Sequence, residues 1–426
     1  MSGVTKHIFN QEVRDILSMW DCEIKTIEPL LPKEYSSGDI ITLLKEFYPH
    51  EWHSVEIKYV YYQTKDRYIK RKFGKSRYHM KAPEVLLMDA SRCKKILSKE
   101  YQRIHFDNYT EESGVLAREN LWLKRKPKIE RVNQKIEKAL SKVQQVTPSF
   151  IDQLIGLYER KNTSQKDRRY ILLELKKYYS DKIIQFFFKL NDTELNKQLR
   201  WEAFYHLQSF NYQPRARRQK YMQVHTKNKK RKEFLKEVYP FETYEIPQNP
   251  NELEYRIENS REQKIKEYDF FISHSSKDGT IVQKLIRAEN QNGKNIFCDW
   301  INDVDYLKRH LLCEATLKVL EKRMEQSKAM IFVVSENSRN SVWCKYELNY
   351  FTELGKPIYC ISKEAIDEKN FIYDKNNFTI YCESDQPLFI NRRKVGQQCY
   401  LNISKQPDHI TYIVYDKDRN KLYLDC

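Results

Sequence analysis

Apolar residues recur every three or four positions between residues 147 and 210, and this spacing predicts amphipathic helices. The expected helices cover residues 148–160, 167–179, 181–190 and 196–210. Residues 169–175 and 200–207 resemble each other and lie about one helical repeat apart, as in a HEAT-type helical pair. The middle of the chain is therefore predicted to be helical.

A second rhythm begins at residue 268, where short apolar runs alternate with helical segments. Strands are predicted at residues 268–273, 295–299, 329–335 and 357–361, and helices at residues 280–289, 311–327 and 343–354. Such alternation is typical of a doubly wound α/β sheet with parallel strands. The tail differs, because residues 410–415 and 421–424 predict a β-hairpin.

The first 146 residues show mixed patterns and are assigned to no family. Residues 10–20 and 36–48 have helical periodicity, with Ser37 as the expected cap of the second helix. Residues 55–62 alternate and are rich in β-branched and aromatic side chains, so they are interpreted as a strand. We therefore expect a mainly helical α+β region at residues 1–146.

Shifts in composition predict how the rest of the chain is divided. We expect a helical, HEAT-like region with a basic end at residues 147–236, a proline-containing linker at residues 237–265, the α/β domain at residues 266–377, and the hairpin at residues 378–426. A chain of 426 residues is long enough for several hydrophobic cores.

The chain shows no apolar run long enough to cross a bilayer and no signal-peptide pattern at its start. Its nine cysteines include no pair spaced as CxxC, which favours free thiols in a reducing compartment over disulfides or structural zinc. We therefore expect a cytoplasmic protein with no membrane partner and no bound metal.

The net charge of +17 is concentrated in the first two-thirds of the chain. Residues 1–265 hold 52 Lys and Arg against 36 Asp and Glu, whereas the remainder is nearly neutral. Basic stretches lie at residues 65–77, 124–128 and 214–236. In residues 65–77 and 215–236 the cations are interleaved with Tyr and Phe, which indicates an anionic partner such as nucleic acid. Solvated helix faces explain charge runs equally well, and no helix-turn-helix, RRM, KH or zinc-finger spacing supports nucleic-acid binding.

Polar loops follow three of the predicted parallel strands, at residues 273–278, 299–309 and 335–343. Ligands bind outside the carboxyl ends of such strands, so these loops predict the position of a site. The first loop combines hydroxyls, Lys277 and the N–H groups that open a helix, and such a helix terminus can hold phosphate.

Three segments in this region resemble the TIR domain family. Residues 268–278 (YDFFISHSSKD) look like its opening strand and loop, residues 299–309 (DWINDVDYLKR) are similar to its segment after the second strand, and residues 338–348 (SRNSVWCKYEL) match its S…WxxxEL helix. The resemblance covers about a quarter of the chain. It implies a flavodoxin-like fold for the α/β domain.

The resemblance also implies an enzyme that breaks the nicotinamide–ribose bond of NAD, with Glu347 as the catalytic carboxylate. A carboxylate beside the ribose would stabilise the oxocarbenium-like centre that nicotinamide leaves behind. Trp343 lies four residues earlier and shares the helix face of Glu347. The other binding residues implied are Phe271, Ser273, His274 and Ser275 on the opposite wall, with Asp299 and Trp300 at the mouth. NAD is then the substrate, and no cofactor is expected.

Other interpretations of these residues stay open. Trp343 by itself fits core packing, Glu347 by itself fits a solvated helix position, and His274 is expected to form hydrogen bonds rather than to act as an acid. Some TIR domains act only as adaptors, through TIR–TIR contacts.

The resemblance to bacterial TIR proteins further implies self-association, through both the TIR and the N-terminal regions, and a role in defence against phage. The N-terminal region would then be the sensor, or a nucleic-acid binder that carries the TIR domain with it. Hydrolysis and cyclisation of NAD are both compatible with the sequence.

Overall fold

The computed structural model describes residues 4–214, 243–307 and 313–369, together with the backbone of three strands nearer the C-terminus. Contacts divide the chain into two units. The first unit comprises residues 1–139 and 187–239, and the second comprises residues 140–186 and 240–426. Nearly all of the basic stretch at residues 214–236 lies outside the described residues.

Residues 4–214 are helical. Their helices are α1 (Val4–Ile27), α2 (Ser37–Phe47), α3 (Pro49–Phe73), α4 (Pro83–Leu87), α5 (Ser91–Ile96), α6 (Lys99–Asn108), α7 (Glu111–Leu140), α8 (Ile151–Glu159), α9 (Gln165–Leu175), α10 (Asp181–Thr193) and α11 (Lys197–Ser209). The four helices predicted between residues 147 and 210 are confirmed as α8 to α11.

Aromatic side chains fill much of the core of the first unit. The rings of Trp20 and Trp52 are both buried, with centroids 5.6 Å apart, and Phe9 meets the Tyr62 ring edge-on at 4.8 Å. Large rings bury much apolar area per residue, so a few of them stabilise these long helices.

The predicted strand at residues 55–62 is wrong, because this segment lies inside α3. Trp52, Val55 and Tyr62 are buried at helical spacing, and Tyr59 packs against the same core. Tertiary packing of this face outweighs the preference of its β-branched and aromatic residues for strands. The cap of α2 also differs from the prediction, since the Oγ of Ser36 accepts a hydrogen bond from the N–H of Gly38.

The second unit adds two helices before its sheet, α12 (Pro250–Asn259) and α13 (Arg261–Lys264). Both fall in the range where a linker was expected. Asn249 caps α12 by accepting a hydrogen bond from the N–H of Glu252 at 2.9 Å, and Pro250 occupies the first helical position. Proline is favourable there because that N–H has no partner within the helix.

The remaining elements form the predicted parallel α/β sheet. They are β1 (Tyr268–Ser273), α14 (Gly279–Gln291), β2 (Ile296–Phe297), α15 (Asp299–Asn302), α16 (Glu314–Glu325), β3 (Ser327–Val334), α17 (Glu336–Arg339), α18 (Val342–Glu353), β4 (Ile358–Ser362) and α19 (Lys363–Asp367). The strand order is β2-β1-β3-β4, and all neighbouring pairs are parallel. The fold predicted for this part of the chain is confirmed.

Each face of this sheet is covered by helices. Phe271 and Phe297 point to one face and belong to the core that contains Leu348 of α18, whereas Ile272 points to the other and packs in the core that contains Leu285 of α14. This follows from the alternation of side chains along a strand. Both faces are apolar, so the polar loops remain at the strand ends.

The backbone of a second sheet is described near the C-terminus. Strands β6 (Thr411–Tyr415) and β7 (Lys421–Leu424) are antiparallel, which confirms the predicted hairpin, and β5 (Thr379–Glu383) pairs with the other edge of β6. Among the helices that the structure describes, none is both long and apolar enough to cross a membrane.

Candidate active site

The carboxyl group of Glu347 is held inside the second unit. Glu347 lies on α18, is only 9% exposed, and accepts a hydrogen bond at Oε2 from the Oγ of Ser273 at 2.6 Å. Burial raises the pKa of Glu347 to about 8, and the charge of Asp299 adds to this rise while the Ser273 hydrogen bond opposes it. With a pKa this close to neutral pH, the charge of Glu347 responds to any charge placed beside it.

Helix α18 turns Glu347 inward because the neighbouring face is apolar. Cys344, Leu348 and Phe351 are fully buried, and Ser341 caps the start of the helix by accepting a hydrogen bond from the N–H of Cys344 at 3.4 Å. Burial of these side chains fixes the rotation of the helix, which places Glu347 against the carboxyl end of β1.

Glu347 opens onto a cleft of about 160 Å³ at the carboxyl ends of the strands. Six of the residues implied by the family resemblance line this cleft: Phe271, His274, Ser275, Asp299, Trp343 and Glu347. Ser273 is completely buried and lies behind the carboxyl group that it contacts. A polar site at strand ends is the arrangement expected of an open α/β sheet.

A larger cavity of about 510 Å³ adjoins the cleft and shares His274, Ser276, Asp299 and Leu307 with it. Trp300, the eighth implied residue, lines this cavity rather than the cleft. The other wall of this cavity was not predicted from the sequence. It is formed by Gly279, Thr280 and Gln283 of α14 together with Val304. Gly279, Thr280 and Gln283 lie at the start of the helix that follows the first polar loop. This location could have been used to predict from the sequence that they line the site.

His274 has a defined tautomer in this structure. The Nε1–H of Trp300 donates to Nε2 of His274 at 2.9 Å, and Nδ1 of His274 lies 3.3 Å from the carbonyl oxygen of Ile272. Indole is only a donor, so Nε2 carries no proton, and Nδ1–H donates to the carbonyl. The His274 ring therefore holds the indole in place at the junction of the two cavities.

Asp278 ties together the loops that follow β1 and β3. Its carboxylate is buried and accepts hydrogen bonds from the Oγ of Ser335 at 2.5 Å and from Nδ2 of Asn337 at 2.9 Å. A shared buried acceptor restricts both loops, so the wall that contains His274 and Ser275 has a fixed position.

Donor atoms of His274, Cys298 and Asp299 lie within 4.8 Å of one another, a spacing compatible with a metal ion. The ring nitrogens of His274 are used in hydrogen bonds. Burial raises the pKa of the Cys298 thiol well above its usual range, whereas metal binding needs the thiolate. His274 and Asp299 therefore belong to the cleft wall, whereas Cys298 is a buried residue of the core next to it.

A buried charge cluster lies next to the turn that carries Asp299. Asp303 and Arg323 are completely buried and form an ion pair at 2.8 Å, and Lys177 of the segment after α9 bonds to Asp303 at 3.2 Å. Burial opposes the ionisation of Asp303, but the charges of Arg323 and Lys177 outweigh it and lower its pKa. Glu174 completes the cluster and pairs with Lys177 and with Lys266, whose pKa burial lowers to about 7.

Comparisons with known proteins identify the family of the α/β domain. Residues 270–371 match the family described as TIR domain. The chain is 37% identical over 383 residues to the protein named "Putative cyclic ADP-D-ribose synthase TIR2" of Cytobacillus dafuensis, which covers 89% of this chain and 98% of that protein. It is also 37% identical over 101 residues to "Probable 3' cyclic ADP-D-ribose synthase ThsB'" of Bacillus cereus, covering 24% of this chain and 51% of that protein.

More distant relatives share only the TIR region. Toll-like receptor 2 of Homo sapiens is 31% identical over 107 residues, which is 24% of this chain and 13% of the receptor. No solved structure matches the chain. The parallel sheet, the residues at its strand ends and a relative similar along nearly the whole sequence lead to one conclusion: the chain belongs to the TIR domain family.

Proposed function

We propose that this protein cleaves NAD+ between nicotinamide and ribose, releasing nicotinamide and an ADP-ribose product. The observation that carries the proposal is the buried carboxyl group of Glu347, which opens onto a cleft at the strand ends. In this proposal the reacting ribose lies in the cleft beside Glu347, and the rest of the dinucleotide extends into the larger adjoining cavity. NAD+ is the substrate in this proposal.

The reaction depends on stabilisation of a positively charged ribosyl centre, and it requires no proton transfer to the leaving group. The bond between the ribose carbon C1′ and the pyridinium nitrogen breaks, and its electron pair leaves with neutral nicotinamide. The ribosyl centre becomes oxocarbenium-like, and ionised Glu347 stabilises that positive charge. Because the leaving group takes up no proton, His274 acts by holding Trp300, not as a general acid.

The cation is then captured at C1′ by one of two nucleophiles. Water adds and loses a proton to give linear ADP-ribose, or a nucleophilic atom of the same molecule adds and gives a cyclic product. Both bacterial relatives are named as cyclic ADP-D-ribose synthases, and this favours capture within the substrate. Mass spectrometry separates the products, because the linear form contains one more water.

The test is nicotinamide release from NAD+ by the purified full chain, followed by chromatography. Glu347→Gln keeps the size and hydrogen-bonding capacity of the side chain but removes its charge, so release should fall by about 10²-fold or more. Glu353→Gln makes the same change at an exposed position of α18 and should retain wild-type release. Absence of release by the assembled wild type would reject the proposal and leave an adaptor role, and equal non-zero rates for wild type and Glu347→Gln would reject Glu347 as the catalytic carboxylate.

We also infer that the active form is a homo-oligomer assembled through the TIR and N-terminal regions, as the family resemblance implies. Specific activity should then rise with protein concentration over the range where light scattering detects association. A specific activity independent of concentration, in a protein that remains monomeric, would contradict this part of the proposal.

A role in defence against phage follows from the same resemblance, with the N-terminal region as sensor. Bacteria that express the chain should form fewer phage plaques than bacteria that express Glu347→Gln at equal protein level. Depletion of cellular NAD+ after infection, or accumulation of a cyclic product, distinguishes direct toxicity from signalling. Equal plaque counts across a panel of phages would reject the defence role.

The charge of the first unit supports an anionic partner, and we propose single-stranded nucleic acid. Residues 67–83 contain no acidic residue, and Arg67, Lys70, Arg71 and Lys72 are exposed at the end of α3. Tyr68 and Phe73 are 60% and 66% exposed among these cations. Exposed rings between cations suit base stacking beside phosphate contacts.

Fluorescence anisotropy of a labelled oligonucleotide tests this second proposal. Affinity should fall steeply as salt rises, and the triple variant Lys70→Glu, Arg71→Glu, Lys72→Glu should abolish binding. The matched triple variant Lys124→Glu, Lys126→Glu, Lys128→Glu changes the net charge equally at exposed positions of α7. Equal losses in both triple variants would contradict a specific surface at the end of α3.

A further inference from the structure

The side chain of Gln144 pairs with the edge strand of the parallel sheet. Its Oε1 accepts a hydrogen bond from the N–H of Ile296 in β2 at 3.0 Å, and its Nε2 donates to the carbonyl oxygen of the same residue. Gln144 is completely buried. A carboxamide contains the same donor and acceptor as a peptide group. The side chain of Gln144 therefore pairs with the free edge of β2 as one residue of a neighbouring strand would.

The same carboxamide also reaches the turn after β2. Nε2 of Gln144 donates to Oδ1 of Asn302 at 3.0 Å, and that oxygen accepts a second hydrogen bond from the N–H of Cys298 at 2.9 Å. These contacts hold both ends of the segment from β2 to the end of α15. Asp299 and Trp300, which line the two cavities, lie between them.

Gln144 is itself fixed by the segment after α9. Its N–H donates to the carbonyl oxygen of Lys177 at 2.9 Å, and its carbonyl oxygen accepts from the N–H of Tyr179 at 2.8 Å. The Lys177 ammonium group bonds to Asp303, one residue beyond α15. Gln144 and Lys177, both from residues 140–186, therefore hydrogen-bond to the segment that carries Asp299 and Trp300.

We propose that Gln144 is a positioning residue for NAD+ binding. Residues 140–186 then contribute to the activity of the α/β domain, because they hold one wall of its binding site in place. Gln144 holds β2 and α15 so that Asp299 and Trp300 present their side chains to the dinucleotide. It lines neither cavity and acts through the backbone of the residues that do. This inference rests on the proposed NAD+ cleavage.

The effect of Gln144 on substrate binding is separable from the effect of Glu347 on chemistry. Glu347 is held by α18 and by Ser273 of β1, and neither contact involves Gln144. Displacement of Asp299 and Trp300 weakens contacts made equally in the ground state and the transition state. Moving the charge of Asp299 away from Glu347 favours the ionised carboxylate, so it does not impair the chemical step. A loss of such uniform binding raises KM and leaves kcat nearly unchanged.

The test compares Gln144→Met with Gln145→Met in the full chain. Methionine keeps the length of the side chain but forms none of these hydrogen bonds. Gln145 is exposed, and its described hydrogen bond is made by its backbone N–H, so its variant controls for the substitution itself. Gln144→Met should raise KM for NAD+ about tenfold with kcat within about threefold, whereas Gln145→Met should match wild type.

Two measurements do not depend on cleavage. Hydrogen–deuterium exchange of residues 296–303 should accelerate at least tenfold in Gln144→Met, because the N–H of Ile296 loses its acceptor. In the Glu347→Gln background, calorimetry should show a tenfold weaker Kd for NAD+. If the wild type binds NAD+ without releasing nicotinamide, the cleavage proposal fails while these two measurements still decide the positioning role.

Unchanged KM, Kd and exchange in a folded Gln144→Met variant would overturn the inference. A parallel fall of kcat and thermal stability with constant KM would also overturn it, since that pattern indicates a structural role alone. If Gln144→Met does not fold, Gln144→Asn replaces it, because the shorter carboxamide cannot span both Ile296 and Asn302. The same shift in KM is expected for that variant, and its absence counts equally against the inference.

Discussion

The hydroxyl group of Ser273 donates to the carboxyl group of Glu347 across 2.6 Å and joins the end of β1 to α18. This hydrogen bond favours the ionised carboxylate, whereas burial and the charge of Asp299 favour the protonated form. Burial dominates, because the resulting pKa is about 8. The charge of the proposed catalytic group is therefore set by groups that can be changed one at a time.

The first prediction concerns the pH dependence of NAD+ cleavage. Because kcat/KM reports the free enzyme, it should rise with pH and level off above about pH 8, as Glu347 ionises. Asp299→Asn removes the charge that opposes ionisation, so the rising limb should move to lower pH. Asp305→Asn, at an exposed position near α15, serves as the control and should leave the limb in place. A limb that does not move in Asp299→Asn would contradict this assignment.

Ser273→Ala should move the same limb in the opposite direction. Loss of the hydroxyl removes a hydrogen bond to the ionised carboxylate, so the pKa of Glu347 should rise and kcat/KM at pH 7 should fall several-fold. The measurement is the pH profile of nicotinamide release under kcat/KM conditions. Ser113→Ala makes the same change at an exposed serine of α7 that lines neither cavity, and it is the matched control.

Glu347 also makes folding stability depend on pH. Its pKa is raised from 4.5 to about 8 on folding, so the folded state holds the proton more tightly between these values and stability falls as pH rises through that window. Glu347→Gln lacks this proton equilibrium. The free energy of unfolding of Glu347→Gln should exceed that of the wild type by a small amount at pH 4.5. This difference should grow to on the order of a few kcal/mol at pH 8.5. Urea denaturation at the two pH values measures it, and a constant difference would be inconsistent with the burial of this carboxyl group.

Trp300→Phe tests the contact at the junction of the two cavities. Phenylalanine keeps an aromatic ring but cannot donate to Nε2 of His274, so the ring loses its fixed orientation. Loss of one neutral hydrogen bond is worth about 1 kcal/mol, which corresponds to a roughly fivefold rise in KM. Steady-state kinetics check this value, and a large fall of kcat with constant KM would instead indicate a role in the chemical step.

Arg323→Met should destabilise the second unit strongly. The guanidinium group is completely buried and bonds to Asp303 and Gln263, each at 2.8 Å, so its removal leaves a buried carboxylate with fewer partners. Removal of one partner of a buried ion pair costs about 3–5 kcal/mol. Lys322→Met removes an exposed pair with Glu325 on the same helix and should cost less than about 1 kcal/mol. Chemical denaturation of both variants gives the comparison.

Elements whose pattern arises from local burial were predictable from the sequence. Strand β1 was predicted with its observed bounds, because the buried positions of a parallel strand need a short apolar run, here residues 270–272. The hairpin of β6 and β7 was predicted for a different local reason, because two short strand-like runs flank a polar turn segment at residues 416–420. Residues 55–62 were not, since their alternation fits a strand as well as the buried face of α3, and only packing against the helical core selects the helix.

The sequence by itself determined that polar loops follow apolar strands and that Glu347 and Trp343 share a helix face, because both follow from local periodicity. Only the tertiary structure decided that Ser273 meets Glu347, 74 residues away, and that Gln144 pairs with Ile296, 152 residues away. Such contacts depend on how helices and strands pack, and the hydrogen bonds of a single side chain leave no periodic trace in the sequence. The pKa of Glu347 belongs to the same class, since it is set by burial and by charges brought close through folding.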